Sequence, residues 1–247
     1  MVRLDVLTTI TPAYQQLLDD WTLPSLRRLR NGHVRVVVDR SRRAEGNADF
    51  RTPGFDQHVF NKLRLIGAWA GRRSRPFLVT DADVVYLRPF APVALPLLEG
   101  KDLLLARESV GRDDHYNIGQ MVIRPSRAVS DFFLRMAHEL SSGAVAEYGE
   151  QQPANQDHIN EALRGGDLQH AALPETVANT ALWDHLGPDR YQRVVSYHAT
   201  DTLPTPDRTS LEWKRERLTN VCTECDVDLD PWRRQGRWRS RFRRSIH

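Results

Sequence analysis

Asp81-Ala82-Asp83 sits in the middle of an apolar run, PFLVTDADVVYLRPF, that covers residues 76–90. Placing carboxylates beside Phe77, Leu78, Val79, Val84 and Val85 is costly unless something compensates their charge. At strand spacing, residues i and i+2 point the same way. Two carboxylates so placed can share one divalent cation. In an open α/β sheet, ligands bind outside the carboxyl ends of the strands. Carboxylate oxygens would hold the ion there and phosphate oxygens would complete its shell. The tripeptide alone fits equally well a strand-end turn with solvated aspartates, because short motifs recur by chance.

Two further clusters carry chemistry. Cys222-Thr223-Glu224-Cys225 has metal-knuckle spacing, but structural zinc takes four ligands and no second pair exists. Two free thiols or a redox pair therefore stand ahead of a zinc site. The last seventeen residues, 231–247, hold seven arginines and no acid, interleaved with Trp232, Trp238 and Phe242. That pattern suits anionic lipid headgroups or nucleic-acid phosphates. A tail packed on the body, or disordered, fits it as well. The whole chain carries +3, so removing the tail's +7 leaves −4 for the rest. Of the 35 basic residues, only Lys62, Lys101 and Lys214 are lysines.

The elements that must position these groups follow from periodicity. Residues 1–9, 33–39, 76–87, 102–106, 118–124, 169–173 and 193–198 read as strands. Thr11 offers a cap and Pro12 a first helical position. The helix that follows sets Tyr14, Leu17, Leu18 and Trp21 on one face and is interrupted at Pro24. Residues 41–57 read as polar and irregular. Further helices are expected over 59–70, over 131–140 with Ser130 as cap, and over 157–163. Strands alternating with helices predict an α/β domain with a largely parallel sheet.

The chain has 247 residues and a mass of 28.4 kDa, with no Gly/Ser/Pro-rich linker. One domain over 1–230 with a basic aromatic tail over 231–247 is expected. With 40% hydrophobic and 27% charged residues, a wholly disordered or fibrous chain is excluded. Two cysteines exclude a disulfide scaffold. No run approaches the ~20 apolar residues of a membrane span. Arg3 and Asp5 interrupt the first apolar stretch, which argues against a signal peptide. The expectation is a soluble cytoplasmic protein, with peripheral contact at the inner membrane face through the tail as an alternative.

Four segments occur in a telling order. The first is Thr8-Thr9 followed by a helix. The second is Lys62 on a helix leading into FLVTDADVVYLRPF. The third is Tyr116-Asn117-Ile118-Gly119, then a strand, Arg124-Pro125-Ser126 and a helix. The fourth is Asn155-Gln156-Asp157-His158-Ile159-Asn160-Glu161-Ala162-Leu163, with Tyr197-His198-Ala199 downstream. Through these the chain resembles the nucleotide-diphospho-sugar transferase family, retaining glycosyltransferases of the GT-A fold. It is more distantly similar to glycogenin and bacterial galactosyltransferases. The resemblance covers roughly residues 1–200.

The resemblance implies a single-domain, Rossmann-type, mixed but mostly parallel sheet flanked by helices. It also implies transfer of a sugar from a nucleotide-diphosphate donor, a UDP-sugar, to a glycan or lipid-linked hydroxyl, with retention. Asp81 and Asp83, with Ala82 between them, match the family's DXD motif, which binds Mn²⁺ and the donor diphosphate. His198 matches its third protein ligand. Two carboxylates and an imidazole suit Mn²⁺ better than Mg²⁺, the alternative ion. A satisfied histidine near a strand end is the bland reading of His198.

Thr8 and Thr9 match the strand end that receives base and ribose, and ordinary strand termination explains them too. Lys62 matches a phosphate or ribose contact, and equally a solvated helix lysine. Lys214 matches a lysine that closes over the diphosphate, at a longer spacing from the histidine than usual. Asn117 and Gly119 match an Asn-Ser-Gly segment lining the sugar pocket, with Ile118 in place of the small residue. A strand bulge is the other reading of Gly119. Gln156 and Asp157 match the reacting face of an Asp-Gln-Asp segment whose first position is here Asn155. Asn155 and Asp157 also suit a helix cap.

Two other classes compete. A nucleotidyltransferase would carry a Gly-rich basic loop after the first strand, and residues 8–14 hold neither glycine nor lysine. A nucleic-acid-binding protein using the tail on an inert body leaves the aspartate pair without purpose, so no nucleic-acid partner is expected.

Overall fold

Strand β1 (Asp5–Ile10) pairs in parallel with β2 (Val34–Val38) on one side and β3 (Phe77–Thr80) on the other. β1 and β3 are buried almost throughout, as parallel strands covered on both faces must be. The structure is a computed structural model that describes residues 4–29, 34–38, 53–112, 114–141, 154–166, 168–200, 205 and 207–233. The main sheet continues through β6 (Tyr116–Ile123), β5 (Leu103–Arg107) and β7 (His170–Ala172), in the order β2-β1-β3-β6-β5-β7. β6 runs antiparallel to both β3 and β5, and β5 runs parallel to β7. The sheet is therefore mostly parallel with one reversed strand. A second sheet joins β4 (Val84–Tyr86), β9 (Ser196–His198) and β8 (Val177–Asn179) in the order β4-β9-β8.

Helices cover both faces. On one face, α2 (Pro53–Ala70), α4 (Arg127–Ser141) and α5 (Ala154–Arg164) bury Leu63, Ile66, Phe133 and Leu163 against Leu7, Val79 and Met121. On the other, residues 12–28 place Leu18 and Leu26 against Val6, Leu78 and Val122. This segment is helical throughout and ends in α1 (Leu23–Arg28). The short α3 (Ala91–Leu97) closes the same side. A third cluster joins Val85 and Tyr197 of the small sheet to Leu218 and Val221 of α6 (Ser210–Glu224).

Several expectations need correction. Residues 76–87 are not one strand with aspartates at its centre. The chain breaks at Asp81–Asp83 into β3 and β4, which belong to different sheets. Asp81 N still donates to Gly119 O at 2.9 Å, and beyond it the chain turns to pair with β9 instead. Thr22 Oγ1 holds the turn by donating to Ala82 O at 2.6 Å. Pro24 does not interrupt the first helix. A wide π-type turn over Leu18–Thr22 comes just before it, and the helical run continues through Pro24 to Arg28. Thr11 makes no side-chain cap bond.

Ser130 lies inside α4 and donates to Gly67 O at 2.9 Å; Ser126 Oγ caps instead, accepting from Val129 N at 3.1 Å. α2 begins at Pro53 rather than 59, and β9 is shorter than predicted because residues 190–193 form a helical turn. Residues 41–52 of the polar segment lie outside the described residues.

β8, α3 and α6 were not anticipated. The start of the tail forms a helical turn, Asp230–Arg233, packed on residues 20–27: Arg233 donates to Asp20 O and Arg27 to Trp232 O. Residues 234–247, which carry most of the tail's arginines, lie outside the described residues. No described helix is long and apolar enough to cross a membrane.

Thr22→Val removes the side-chain donor on the Ala82 carbonyl. A loss of about 1–2 kcal/mol is expected, read as a lower urea midpoint at unchanged slope. An unchanged midpoint would show that the turn does not depend on this bond.

Candidate metal centre

The break between the two sheets brings three ligand-type side chains together. β4 and β9 pair so that Val84 faces His198, and Ala199 N donates to Asp83 O at 3.0 Å. This register sets the imidazole beside the aspartate turn. His198 Nε2 lies 3.1 Å from Asp83 Oδ1 and 3.9 Å from Asp81 Oδ2. One ligand atom from each of Asp81, Asp83 and His198 can be chosen so that all lie within 4.8 Å of one another. Asp83 and His198 are buried, and Asp81 is partly open. The two aspartates do converge, but through a turn rather than through strand alternation.

Both lysines that the resemblance singled out are at this site. Lys62 Nζ lies 2.5 Å from Asp81 Oδ1 and donates to Ile118 O at 3.1 Å. Lys214 Nζ lies 2.5 Å from Asp83 Oδ2 and donates to Ala199 O at 2.6 Å. Neither is a solvated helix lysine: they are 4% and 9% exposed. Burial alone would raise the Asp83 carboxyl, but the Lys214 ammonium and the His198 imidazole outweigh it. They hold the group well below the usual carboxylate range.

Gly119 makes room for this arrangement. A Cβ there would fall 2.2 Å from the His198 ring, 2.7 Å from Asn117 Oδ1 and 2.8 Å from Asp81 Oδ2. The bulge reading also holds. The β5–β6 register shifts between Leu105 and Ala106, so that 118–120 have no partners on β5. Asn117 Oδ1 accepts from Gly119 N at 2.7 Å, and its Nδ2 donates to Glu108 Oε2 at 2.6 Å. Asn179 Nδ2 donates to Glu108 O and Arg107 O, fixing the segment that carries this glutamate.

Thr8 faces Thr80 across β1 and β3, next to Asp81. Among the described residues, the buried hydroxyls of Thr8, Thr9 and Thr11 have no hydrogen-bond partner, and neither has His198 Nδ1. Buried polar groups are normally hydrogen-bonded, so these atoms are available to a polar ligand.

Gln156 is buried in the first turn of α5, and Asp157 Oδ1 lies 3.4 Å from His115 Nε2. Asn160 ties their helix to the start of β6. Its Nδ2 donates to Gln156 O and Tyr116 O, and its Oδ1 accepts from Tyr116 N. Because α5 begins at Ala154, Asn155 and Asp157 lie inside the first turn rather than at the cap position. The Asn155 side chain lies outside the described residues.

Glu108, Asn179, His115 and Thr22 went unrecognised in the sequence. One missed signal was available: Thr209-x-x-Glu212 is a capping box, and both of its reciprocal bonds form at the start of α6. That pattern marks the helix which delivers Lys214.

The ligand set fits a divalent cation. Two carboxylate oxygens and an imidazole nitrogen converge, and Gly119 keeps the adjoining space clear. The cysteine pair does not form a second centre. Among the described residues the only grouping of three or more metal-ligating side chains is Asp81, Asp83 and His198. Cys222 and Cys225 are free thiols, which burial pushes up to about 12 and about 11.

A family model described as nucleotide-diphospho-sugar transferase matches residues 17–200. No curated protein matches the sequence. Among solved structures, the glycosyltransferase GlyE of Streptococcus pneumoniae TIGR4 aligns with a TM-score of 0.57 at 14% identity, covering 91% of this chain and 63% of that one. The galactosyltransferase LgtC, in complex with donor and acceptor sugar analogs, aligns with a TM-score of 0.51 at 16% identity, covering 93% and 99%. A glycosyltransferase involved in glycosylation of the major capsid of PBCV-1 gives 0.58 at 11% identity, covering 88% and 100%. The chain thus spans under two thirds of GlyE but nearly all of LgtC. At these identities the likeness establishes the GT-A fold.

Gly119→Ala is expected to leave a folded protein whose Mn²⁺ affinity, measured by calorimetry, drops at least about tenfold, because the imidazole must move. Unchanged affinity would remove His198 from the ligand set. Both cysteines should react with a thiol reagent at pH 8 at least about tenfold more slowly than free cysteine. Rates matching free cysteine would contradict their burial.

Proposed function

The chain belongs to the nucleotide-diphospho-sugar transferase family, and on that premise we propose that it is a metal-dependent glycosyltransferase. It would move a sugar from a nucleotide-diphosphate donor, UDP-linked, to a hydroxyl of a glycan or lipid-linked acceptor, with retention of configuration. The observation that carries this reading is the convergence of Asp81, Asp83 and His198 at the junction of the two sheets.

Asp81, Asp83 and His198 would hold the ion. Mn²⁺ suits the mixed oxygen–nitrogen set, and Mg²⁺, which prefers oxygen and water, is the weaker candidate. When bound, the ion supplies neutralisation of the charge that builds on the departing diphosphate. The chain's own groups do the rest. Thr8 and Thr9, whose buried hydroxyls have no partner among the described residues, offer them to base and ribose. Lys62 and Lys214 are the ammonium groups available to the diphosphate. Asn117, oriented by Glu108, and Gly119 border the sugar.

Gln156 and Asp157 are assigned to the reacting face, positioned by Asn160. Retention then has two routes. The acceptor attacks from the leaving-group side, with the departing phosphate oxygen taking its proton; or Gln156 or Asp157 forms a short-lived covalent adduct. A cytoplasmic placement, with contact to an anionic membrane surface through the basic tail, completes the proposal.

Thermal-shift screening of UDP, GDP and their sugars, with and without Mn²⁺, tests the reading, since a ligand of the folded state raises its melting temperature. A Mn²⁺-dependent shift with a uridine ligand is expected. Asp83→Ala and His198→Ala should each cut transfer by about 10²–10³ or more. Wild-type turnover in either folded variant would refute the metal centre.

A further inference from the structure

Two of the chain's three lysines sit on the two aspartates of this centre. Each carboxylate is divided in the same way. Asp81 gives Oδ1 to Lys62 and turns Oδ2 toward His198 Nε2. Asp83 gives Oδ2 to Lys214 and turns Oδ1 toward the same nitrogen. The oxygens that face the imidazole are thus the ones left for a cation, and the outer pair carries ammonium groups. All four charged groups are held by main-chain or side-chain partners, with Ile118 O and Ala199 O completing the two lysines.

The choice of residue has a chemical reason. Thirty-two of the 35 basic residues are arginine, yet both of these positions are lysine. A guanidinium fork bonds both oxygens of a carboxylate at once and would take the oxygen a metal needs. An ammonium is a compact point charge that neutralises the group through one oxygen and leaves the other free.

We propose that Lys62 and Lys214 are positioning residues that balance the centre's charge before any metal enters, so that metal and diphosphate bind as a pair. Two carboxylates and two ammonium groups cancel. A divalent ion arriving alone meets two unit positive charges within a few ångströms of its site, in partly buried surroundings where such repulsion is strong. A diphosphate brings the missing negative charge and accepts the lysines' protons as hydrogen bonds. The metal is then tight only in company with the donor. This rests on the diphosphate-donor reading above.

The test is Mn²⁺ binding by the full chain, read from the electron paramagnetic resonance signal of free Mn²⁺. It is run with Mn²⁺ alone, with saturating UDP, and with inorganic pyrophosphate. In the wild type, either diphosphate should tighten Mn²⁺ by at least about tenfold. Lys214→Met should bind Mn²⁺ alone about tenfold more tightly than the wild type and lose most of the diphosphate effect. Lys214→Arg, which keeps the charge but covers both oxygens, should bind Mn²⁺ alone more weakly than the wild type. If Lys214→Met does not fold, Lys62→Met on the more open Asp81 carries the same expectation.

Lysine variants with wild-type Mn²⁺ affinity and an undiminished diphosphate effect would overturn the inference while leaving the donor reading intact. A wild-type protein that binds Mn²⁺ but shows no tightening by either diphosphate would also overturn it. Wild-type protein that binds neither Mn²⁺ nor UDP would overturn both.

Discussion

A carboxylate cannot stay charged in a protein interior without partners, and Asp83, 6% exposed, has two. His198 holds one of its oxygens and Lys214 the other. Those partners come from β9 and α6, more than a hundred residues downstream. The same interaction that satisfies one buried charge therefore closes the small sheet and α6 onto the turn after β3. Breaking a buried pair of this kind by removing one partner is strongly destabilising, commonly by about 3–5 kcal/mol. The centre is thus both a candidate binding site and a structural junction.

The surroundings follow from that junction. The chain must leave one sheet and enter another within three residues, and it does so at Asp81–Asp83. Thr22, on a widened helical turn, grips the Ala82 carbonyl from one side. Gly119, in a bulge of β6, leaves the imidazole and the Asp81 carboxylate space on the other. Asn117 and Glu108 extend the polar rim toward β5, and Asn160 moors the first turn of α5 to the same strand. Each of these residues acts through geometry rather than through charge.

Much of this was legible in the sequence, for physical reasons that can be named. Apolar runs flanking Asp81 and Asp83 marked carboxylates under desolvation, and Lys62 and His198 were singled out by resemblance. The strands expected over 33–39, 102–106, 118–124 and 169–173 emerged within one or two residues of their expected bounds. What failed was long-range. Nothing local in residues 76–87 reveals that the strand changes sheets, because that depends on pairing with β9. Pro24 reads as a breaker until the wide turn before it is seen. Ser130 looked like a cap because its hydroxyl bond to Gly67 crosses from α4 to α2 and has no local signature. Glu108 and Asn179 are ordinary polar residues until the bulge and the second sheet bring them beside Asn117. The lysine–aspartate pairs, separated by 19 and 131 positions, could not have been read from spacing at all.

The central claim is that one divalent ion is held jointly by residues 81, 83 and 198. Anomalous diffraction at the manganese edge, on crystals grown with Mn²⁺ and UDP, tests it most directly. The account requires a single strong peak bonded to oxygens of both aspartates and to Nε2 of His198, with diphosphate oxygens completing the shell. A peak bonded to other side chains, or bound nucleotide with no peak between these three, would contradict it.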